Sequence, residues 1–395
     1  MPDSASAPAQ DARDGESDRF AVDWTQPLES DLRSAASLAL TTSTGGLFPN
    51  LVSPSAVTPE MAKLEQLGSS EHWLIPKKDL IVLDGLASWA GPRTQPMEEP
   101  GLPCTTVRGR WRGTPVFVKI AAEAPRDTET GLDVLLNELR MLRQVRHPSI
   151  ACFLGACFDY ELLSIALVLE YVEGPTLDRF IFAGGAAQGR EAVRHVGPPD
   201  GSTQVHLLIQ MAQALQHLHV RRVPIIHGNL TASNILVDRQ TVVPRPKLFG
   251  FGLAQFATKS QTRAVGGEWR YKAPETLTDA PEPRTPEQDM YSFGSLVFLV
   301  TTGDEPFSDA GRDDPVRFGE AVRAGSVRDP GWSDHDPSPD LFIRSLSQRC
   351  MRKEPFRRLT APEAHVVLTM HPMYHDDMSF AEPASARARR ETRMR

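Results

Sequence analysis

The pattern of apolar residues changes near residue 172, and this change restricts the folds open to the chain more than any other feature. Before it, short runs of alternating and β-branched residues predict antiparallel strands, and one stretch among them, 131–145, has the spacing of an amphipathic helix. After it, apolar residues recur at helical spacing over long stretches, beginning with 205–219. The sequence therefore predicts two lobes, the first with five strands and a helix and the second mainly helical. The predicted strands are DLIVL (79–83), TTVRGRW (105–111), TPVFVKI (114–120), IACFLGACF (150–158) and IALVLEYV (165–172).

Composition predicts where the folded region begins and ends. The first part of the chain is rich in Ser, Ala, Pro and Thr and has too few apolar residues to offset the entropy of ordering, so we predict a mostly disordered leader with one helical pattern at 27–40. The C-terminal end, ARARRETRMR, is interpreted as a short, basic, disordered tail. The predicted divisions are a leader 1–72, an N-terminal lobe 73–172, a C-terminal lobe 173–372 and a tail 373–395.

Charge and cysteine content exclude several classes of function. The net charge of -7 and the isoelectric point of about 5.9 argue against a general role with nucleic acid. The four cysteines include no CxxC pair, which argues against a zinc site or a disulfide framework. The first residues lack the apolar core of a signal peptide, and no apolar stretch is long enough to span a bilayer. We therefore expect a cytoplasmic protein.

Eight short motifs follow one another within residues 73–372, and together they resemble the motifs of protein kinases in type, order and spacing. The details are most similar to the tyrosine kinase-like group, which includes the Raf-like kinases. This resemblance implies the bilobal protein-kinase fold of the α+β class, with a five-stranded antiparallel sheet and helix C in the N-terminal lobe and a mainly helical C-terminal lobe. The motifs are VFVK (116–119), NELRML (137–142), HGNLTASN (227–234), FGFG (249–252), APE (273–275), DMYSFG (289–294), TGDEPF (302–307) and CMRKEPFRRLT (350–360).

Some matched positions imply structural roles. Glu275 and Arg358 stand where kinases place an ion pair that braces the C-terminal lobe, and Asp289 stands where an Asp anchors the catalytic loop. The apolar column that links the two lobes is implied at Leu142, Phe251 and His227.

The positions that carry chemistry in the family are altered. The family's catalytic Asp, which accepts the hydroxyl proton of the substrate, is replaced by Asn229, and loss of general-base help costs about 10²–10⁴-fold in rate. The Asp of D-F-G, the main metal ligand, is replaced by Gly250. Asn234 then remains as one weak, neutral ligand for Mg²⁺.

Two matched residues leave alternatives open. Lys119 and Glu138 occupy the positions of the lysine that pairs with the nucleotide phosphates and of its partner on helix C. They indicate either residual nucleotide binding or a structural bridge between helix and sheet, and we favour the bridge because structural ion pairs are common.

The implied nucleotide pocket is also altered. Of the glycine-rich phosphate loop, in which glycines let the backbone approach the phosphates, only Gly91 remains in one register, and only Gly101 remains in an alternative register that uses EPGLPC (99–104). Phe117 replaces the small alanine that packs on adenine, so it is either a plug in the pocket or a core aromatic, and both interpretations weaken ATP binding. Leu169 and Leu236 fall at other pocket positions.

Two further features concern regulation. Kinases that are activated by phosphorylation of the activation segment carry Arg before the catalytic Asp, whereas this chain has Gly228, so such a phosphate would lack that partner. The segment RQVRH (143–147) resembles RKTRH of Raf-like kinases, which forms a side-to-side dimer surface there. We hypothesise that Arg143 and Arg146 contact another kinase domain; the alternative is that these residues have no pairing role.

The sequence thus favours a pseudokinase, a catalytically impaired kinase-like protein that acts in signalling as a scaffold or allosteric partner of other kinases, in a dimer if the arginine hypothesis holds. The first alternative is an active atypical Ser/Thr or Tyr kinase that uses Lys119, Asn234 and a displaced acid such as Glu268. The second is an ATP-binding switch without catalysis. No cofactor is expected for the favoured function; ATP and Mg²⁺ are expected if nucleotide binding is retained. No nucleic-acid partner or membrane span is expected.

Overall fold

The computed structural model divides into two compact units, Met1–Ser70 and Glu71–Arg395. The described part of the first unit is one helix, α1 (Pro59–Ser70), which composition alone did not predict. The helical pattern at 27–40 and the positions of Gly91 and Gly101 lie outside the described residues, and within these residues no helix is long and apolar enough to cross a membrane. The structure describes residues 59–82, 97–98, 102–121, 131–159, 164–182, 198–241, 243–257, 268–277, 283–308, 315–324, 330–332 and 340–373.

The second unit begins with a curled antiparallel sheet, as the sequence predicted. Its five main strands lie in the order β1-β3-β4-β6-β5, and the two-residue strand β2 pairs with β3 beside them. Burial explains the sheet: in β3 and β4, side chains on one face pack into a core with those of β6, and Val116, Val118 and Val168 are fully buried there. The strands are β1 (Leu80–Val82), β2 (Met97–Glu98), β3 (Cys104–Trp111), β4 (Thr114–Ala121), β5 (Phe153–Asp159) and β6 (Ser164–Glu170).

A tight turn fixes the register of β3 and β4. Arg112 and Gly113 connect the strands with φ angles of 49° and 86°. Two positive φ angles in a two-residue turn match the twist of the strands, which is why glycine suits the second position. The turn places Thr106 opposite Lys119 and Arg108 opposite Phe117.

Helix α2 (Gly131–Leu142) packs on the sheet through its apolar side. Val134, Leu135 and Leu139 are buried at helical spacing, and this burial is what the periodicity of 131–145 predicted. The helix ends three residues earlier than the predicted stretch.

Residues 71–76, called the strap below, extend the sheet beyond β5. Leu74 forms an isolated parallel bridge with Ala156, whose amide donates to the Trp73 carbonyl at 2.9 Å. The Trp73 side chain is buried against Phe153 and Phe158, with ring centroids 6.3 Å away in each case. The strap therefore covers the edge of the sheet that would otherwise present unpaired backbone groups.

The C-terminal lobe is mainly helical, in agreement with the predicted fold class. Helix α5 (Pro286–Thr302) is buried over most of its length and packs against α4 (Gly201–His219) and α7 (Leu341–Cys350). Asp200 caps α4 by accepting from the Thr203 amide at 3.0 Å, and Thr360 and Glu363 form a capping box at the start of α8. The elements are α3 (Leu177–Phe182), α4 (Gly201–His219), β7 (Ile225–Ile226), β8 (Ile235–Asp238), β9 (Arg245–Leu248), β10 (Gln255–Phe256), α5 (Pro286–Thr302), α6 (Pro315–Ala324), α7 (Leu341–Cys350) and α8 (Ala361–Thr369).

Candidate functional site

An ion pair joins the sheet to α2 in the middle of the N-terminal lobe. Lys119 of β4 contacts Glu138 of α2, and both side chains are almost completely buried. The second carboxylate oxygen of Glu138, Oε1, accepts from the amide of Phe251 at 3.1 Å. The neighbouring Asn137 side chain donates to the carbonyls of Gly252 and Ala254 at 2.8 and 2.9 Å. The helix is thus held against the sheet on one side and against residues 250–254 on the other.

Two of the three residues predicted for the apolar column between the lobes, His227 and Phe251, lie in contact. The ring of His227 lies 4.7 Å from the ring of Phe251, measured between centroids, and its Nε2 is hydrogen-bonded to the Phe249 carbonyl at 3.1 Å. Phe251 and Leu142 of α2 are fully buried. Helix α2 packs against residues 251–253, so Phe251 lies between the helix and the loop that carries His227.

Asp289 anchors the loop that carries His227. Its carboxylate accepts from the amides of His227 at 2.7 Å and Gly228 at 2.9 Å, and it also contacts His219 Nε2 at 2.9 Å. Burial alone would raise the pKa of this carboxyl, but the hydrogen bond and charge of His219, the charge of His227 and the Gly228 amide outweigh burial and lower the pKa below its ordinary value. Asp289 is therefore a structural carboxylate that holds the loop in place.

The two positions that resemble catalytic carboxylates hold no carboxylate. Asn229 is buried, and its backbone carbonyl accepts a hydrogen bond from the side-chain amide of Asn234 at 2.9 Å. Gly250 adopts the left-handed conformation with φ 78°, and a Cβ built on it would lie 2.9 Å from Asn234 Oδ1. This amide oxygen is buried and has no hydrogen-bond partner among the described residues.

These residues do not fit a Mg²⁺ site. Asn234 Oδ1 is buried and has no hydrogen-bond partner among the described residues, but it is a single neutral oxygen, and Mg²⁺ is held in proteins through carboxylates together with substrate phosphates. Within the described ranges, no group of three or more His, Cys, Asp or Glu side chains is arranged to hold a metal ion.

An aromatic cluster lies where β4 meets the segment between the lobes. The ring of Phe117 packs against the ring of Tyr171, with centroids 5.0 Å apart. The guanidinium of Arg108 lies over the Tyr171 ring, 5.0 Å from its centroid. Leu169 and Leu236, the other predicted pocket residues, are buried to 3% and 2% exposure. Sequence reasoning missed Tyr171 and Arg108; the position of Tyr171 directly after β6 was the available signal.

The brace predicted in the C-terminal lobe is formed. Arg358 makes two parallel contacts with Glu275, Nη1 to Oε1 at 2.6 Å and Nη2 to Oε2 at 2.8 Å, and its guanidinium lies over the Tyr291 ring at 5.1 Å. The Arg358 side chain is fully buried. Burial of the phenol raises the pKa of Tyr291 above its ordinary value.

The family described as "Protein kinase domain" matches residues 104–368, well over half of the chain. The chain is a member of the protein kinase family. Similar proteins include serine/threonine-protein kinase CTR1 of Arabidopsis thaliana, 29% identical over 64% of this chain and 28% of its own length. Seven transmembrane domain-containing tyrosine-protein kinase 1 of Dictyostelium discoideum is 30% identical over 63% of this chain and 34% of its own length. Mitogen-activated protein kinase kinase kinase 11 of Homo sapiens is 28% identical over 64% of this chain and 28% of its own length. The chain thus spans about a third or less of these relatives.

The two arginines predicted as a dimer surface of the kinase domain are engaged within their own chain. Arg143 forms an ion pair with Glu71 of the strap at 3.1 Å, and its side chain is 7% exposed. Burial lowers the pKa of Arg143, and the charge of Glu71 opposes that change. Arg146 donates to the carbonyls of Leu142 and Val145 at 2.9 and 2.8 Å, which satisfies acceptors at the end of α2.

Glu268, the displaced acid considered in the sequence, lies in a half-buried cluster of charges before the A-P-E motif. Burial raises the pKa of its carboxyl, as do the charges of Glu305 and Asp178, while Arg270 lowers it. Arg270 Nη1 lies 3.6 Å from the carboxylate.

Proposed function

We propose that this chain is a pseudokinase, a kinase-fold protein with little or no phosphotransferase activity that acts in signalling through contacts with other proteins, among them the kinase domain of a partner. Protein kinases normally use ATP and Mg²⁺ and place carboxylates on the metal and on the substrate hydroxyl. The observation that carries the proposal is the pair of positions Asn229 and Gly250, which lack a carboxylate next to an unpartnered Asn234 oxygen.

The cluster of Phe117 and Tyr171 supports the proposal because it bears on nucleotide binding. An adenine ring would need the space beside β4, where Phe117 packs against Tyr171. The register pairs Phe117 with Leu169, and both side chains are nearly inaccessible to solvent. In this interpretation Phe117 fills the pocket and completes the core of the lobe without a ligand.

The retained ion pair supports a structural role. Lys119 and Glu138 are buried together, and Glu138 also accepts from the amide of Phe251. Breaking a buried pair is strongly destabilising because a charge is left without a partner in a poorly solvated place. The pair is therefore kept to hold α2 and residues 250–254 in one arrangement, which a partner protein can recognise.

Incubation of the purified chain with labelled ATP and either Mg²⁺ or Mn²⁺ tests the proposal. We expect label incorporation into the chain and into a generic protein substrate to stay at the level of the Lys119→Met variant. Incorporation that exceeds this control would contradict the pseudokinase and favour an atypical active kinase, in which Glu268→Gln should then abolish the signal. Thermal stabilisation by ATP without metal and without incorporation would favour the nucleotide-binding switch.

A further inference from the structure

The residue before Asn229 is a glycine, Gly228. Another part of the chain occupies the space that a side chain at this position would need. Gly228 has φ 68°, and a Cβ built on it would lie 1.8 Å from Arg284 Nη1. The same Cβ would lie 3.0 Å from the Leu253 carbonyl oxygen. A guanidinium from a residue far along the chain thus stands directly against the catalytic loop.

Arg284 also contacts the segment that follows the glycine-rich turn at 249–252. Its Nη1 donates to the Leu253 carbonyl at 2.9 Å. Leu253 is the last residue of the short turn Phe251–Leu253, whose first amide is held by Glu138. The guanidinium therefore connects the catalytic loop with the start of the activation segment, and a hydrogen bond from a charged donor is about twice as strong as a neutral one.

Both connections lead to the beginning of one helix. Arg284 lies two residues before α5 (Pro286–Thr302), and Asp289 in the first turns of α5 accepts from the amide of Gly228 at 2.9 Å. The start of α5 thus anchors Gly228 through its backbone on one side and covers it with a guanidinium on the other. Residues 288–301 of α5 are buried, so this anchor belongs to a well-packed element.

We propose that Arg284 is a positioning residue that takes over the place of the arginine missing at position 228, and that it holds the catalytic loop and residues 251–257 together without any phosphate group. The sequence alone suggested that this contact is lost, because Gly228 has no side chain. The inference goes beyond the pseudokinase proposal and does not depend on whether the chain transfers phosphate.

Hydrogen exchange at single amides tests the role of Arg284. The Ala254 amide donates to the Phe251 carbonyl at 3.0 Å, and the Ala257 amide donates to the Pro224 carbonyl at 2.8 Å, so both report opening of this segment. In Arg284→Ala we expect exchange at both amides to rise by about tenfold or more. The control is Arg352→Ala, which removes another arginine hydrogen bond to a carbonyl of the same lobe and should leave both amides unchanged.

Moving the arginine from position 284 to position 228 separates the positioning role from a general contribution to stability. In Gly228→Arg two guanidiniums compete for one space, so exchange at Ala254 and Ala257 should rise. In Gly228→Arg with Arg284→Ala the new arginine has that space to itself, so exchange at both amides should be slower than in Gly228→Arg, although the left-handed backbone at position 228 (φ 68°) still carries a cost. If the first variant does not fold, recovery of folding in the double variant supports the proposal equally.

Two results would overturn the proposal. One is unchanged exchange at Ala254 and Ala257 in Arg284→Ala, or a double variant that is no better protected than the sum of its single variants predicts. The other concerns phosphate: the wild-type chain treated with a phosphatase should keep its protection, and loosening to the level of Arg284→Ala would show that a phosphate group, rather than Arg284, holds the segment.

Discussion

At the scale of single residues, Gly250 determines both the backbone and the chemistry of its site. Its φ of 78° disfavours residues with a Cβ, and the nearest atom that such a Cβ would meet is Asn234 Oδ1 at 2.9 Å. Glycine at this position thus avoids crowding beside a buried amide. Restoring a side chain here is expected to carry a cost in stability.

A comparison of two glycines separates backbone strain from crowding. Gly113 has φ 86°, but a Cβ built on it would meet nothing within 4 Å. We expect Gly113→Ala to lower the free energy of unfolding by about 1 kcal/mol, because only the left-handed backbone opposes it. Gly250→Ala should lower it further in denaturant titrations, since Asn234 must also shift. Equal losses would mean that crowding by Asn234 is unimportant.

Phe117 is the residue whose removal should open the nucleotide pocket. Phe117→Ala is expected to lower the free energy of unfolding by about 3–5 kcal/mol, because a buried ring that packs on Tyr171 is lost. The matched control is Phe153→Ala, which removes another buried ring of the same lobe that packs on Trp73. Only the first variant should be stabilised by adenosine in thermal unfolding. Adenosine stabilisation of neither variant, or of both, would contradict a plug at Phe117.

The lowered pKa of Asp289 predicts how the free energy of unfolding depends on pH. Because its folded pKa lies below the ordinary 3.8, the ionised carboxylate contributes stability above that value, and the contribution disappears as the pH falls through the folded pKa. Asp289→Asn should therefore lower the free energy of unfolding at pH 7 by about 2 kcal/mol or more, and the difference from wild type should shrink as acid is added. Replacement of the exposed Asp304 by Asn should show no such difference. A gap that stays constant with pH would contradict this role.

At the scale of elements, the strap and α2 form one connected unit. The Trp73 indole donates to Glu71 Oε2 at 2.8 Å, and the same carboxylate pairs with Arg143 at the end of α2 at 3.1 Å. A backbone bridge holds the strap on β5. The position of α2 is thus linked to the residues that precede the sheet, and a partner that contacts Arg143 must compete with Glu71.

A charge exchange tests whether Arg143 contacts a partner kinase domain. Arg143→Glu with Arg146→Glu is predicted to abolish co-purification of that partner. Because Arg143→Glu also breaks the internal pair, Arg143→Glu with Glu71→Arg restores an ion pair within the chain while reversing the surface charge. Co-purification that stays lost in the exchanged variant supports a direct contact. Recovery would show that Arg143 acts only by holding the strap, and unchanged co-purification in the first variant would remove the surface from consideration.

At the scale of the whole molecule, local patterns predicted the lobes, and ordered motifs predicted which residues meet. The pair of Lys119 with Glu138 and that of Glu275 with Arg358 followed from motif positions, and the structure brings both pairs together. Contacts made by side chains outside any motif could not be predicted. Arg284 reaches Gly228 across 56 positions of sequence, and nothing near either residue in the chain signals that contact.

Several contacts connect the parts of the molecule around the candidate site. The ion pair of the N-terminal lobe joins the sheet to α2, and the contact of His227 with Phe251, the Asp289 anchor and the Arg284 contact join loops of the C-terminal lobe. Under the proposed function, these contacts hold the arrangement that a partner protein recognises.

Calorimetric titration of ATP into the purified chain, with and without Mg²⁺, tests most directly whether the cleft has lost its ligand. We predict no saturable heat at ATP concentrations up to the millimolar range, and no change when Mg²⁺ is added, because Asn229 and Gly250 supply no carboxylate and, as we propose, Phe117 fills the adenine space. Saturable binding that Mg²⁺ strengthens and that Asn234→Ala abolishes would contradict this, since the metal and nucleotide would then have a working site.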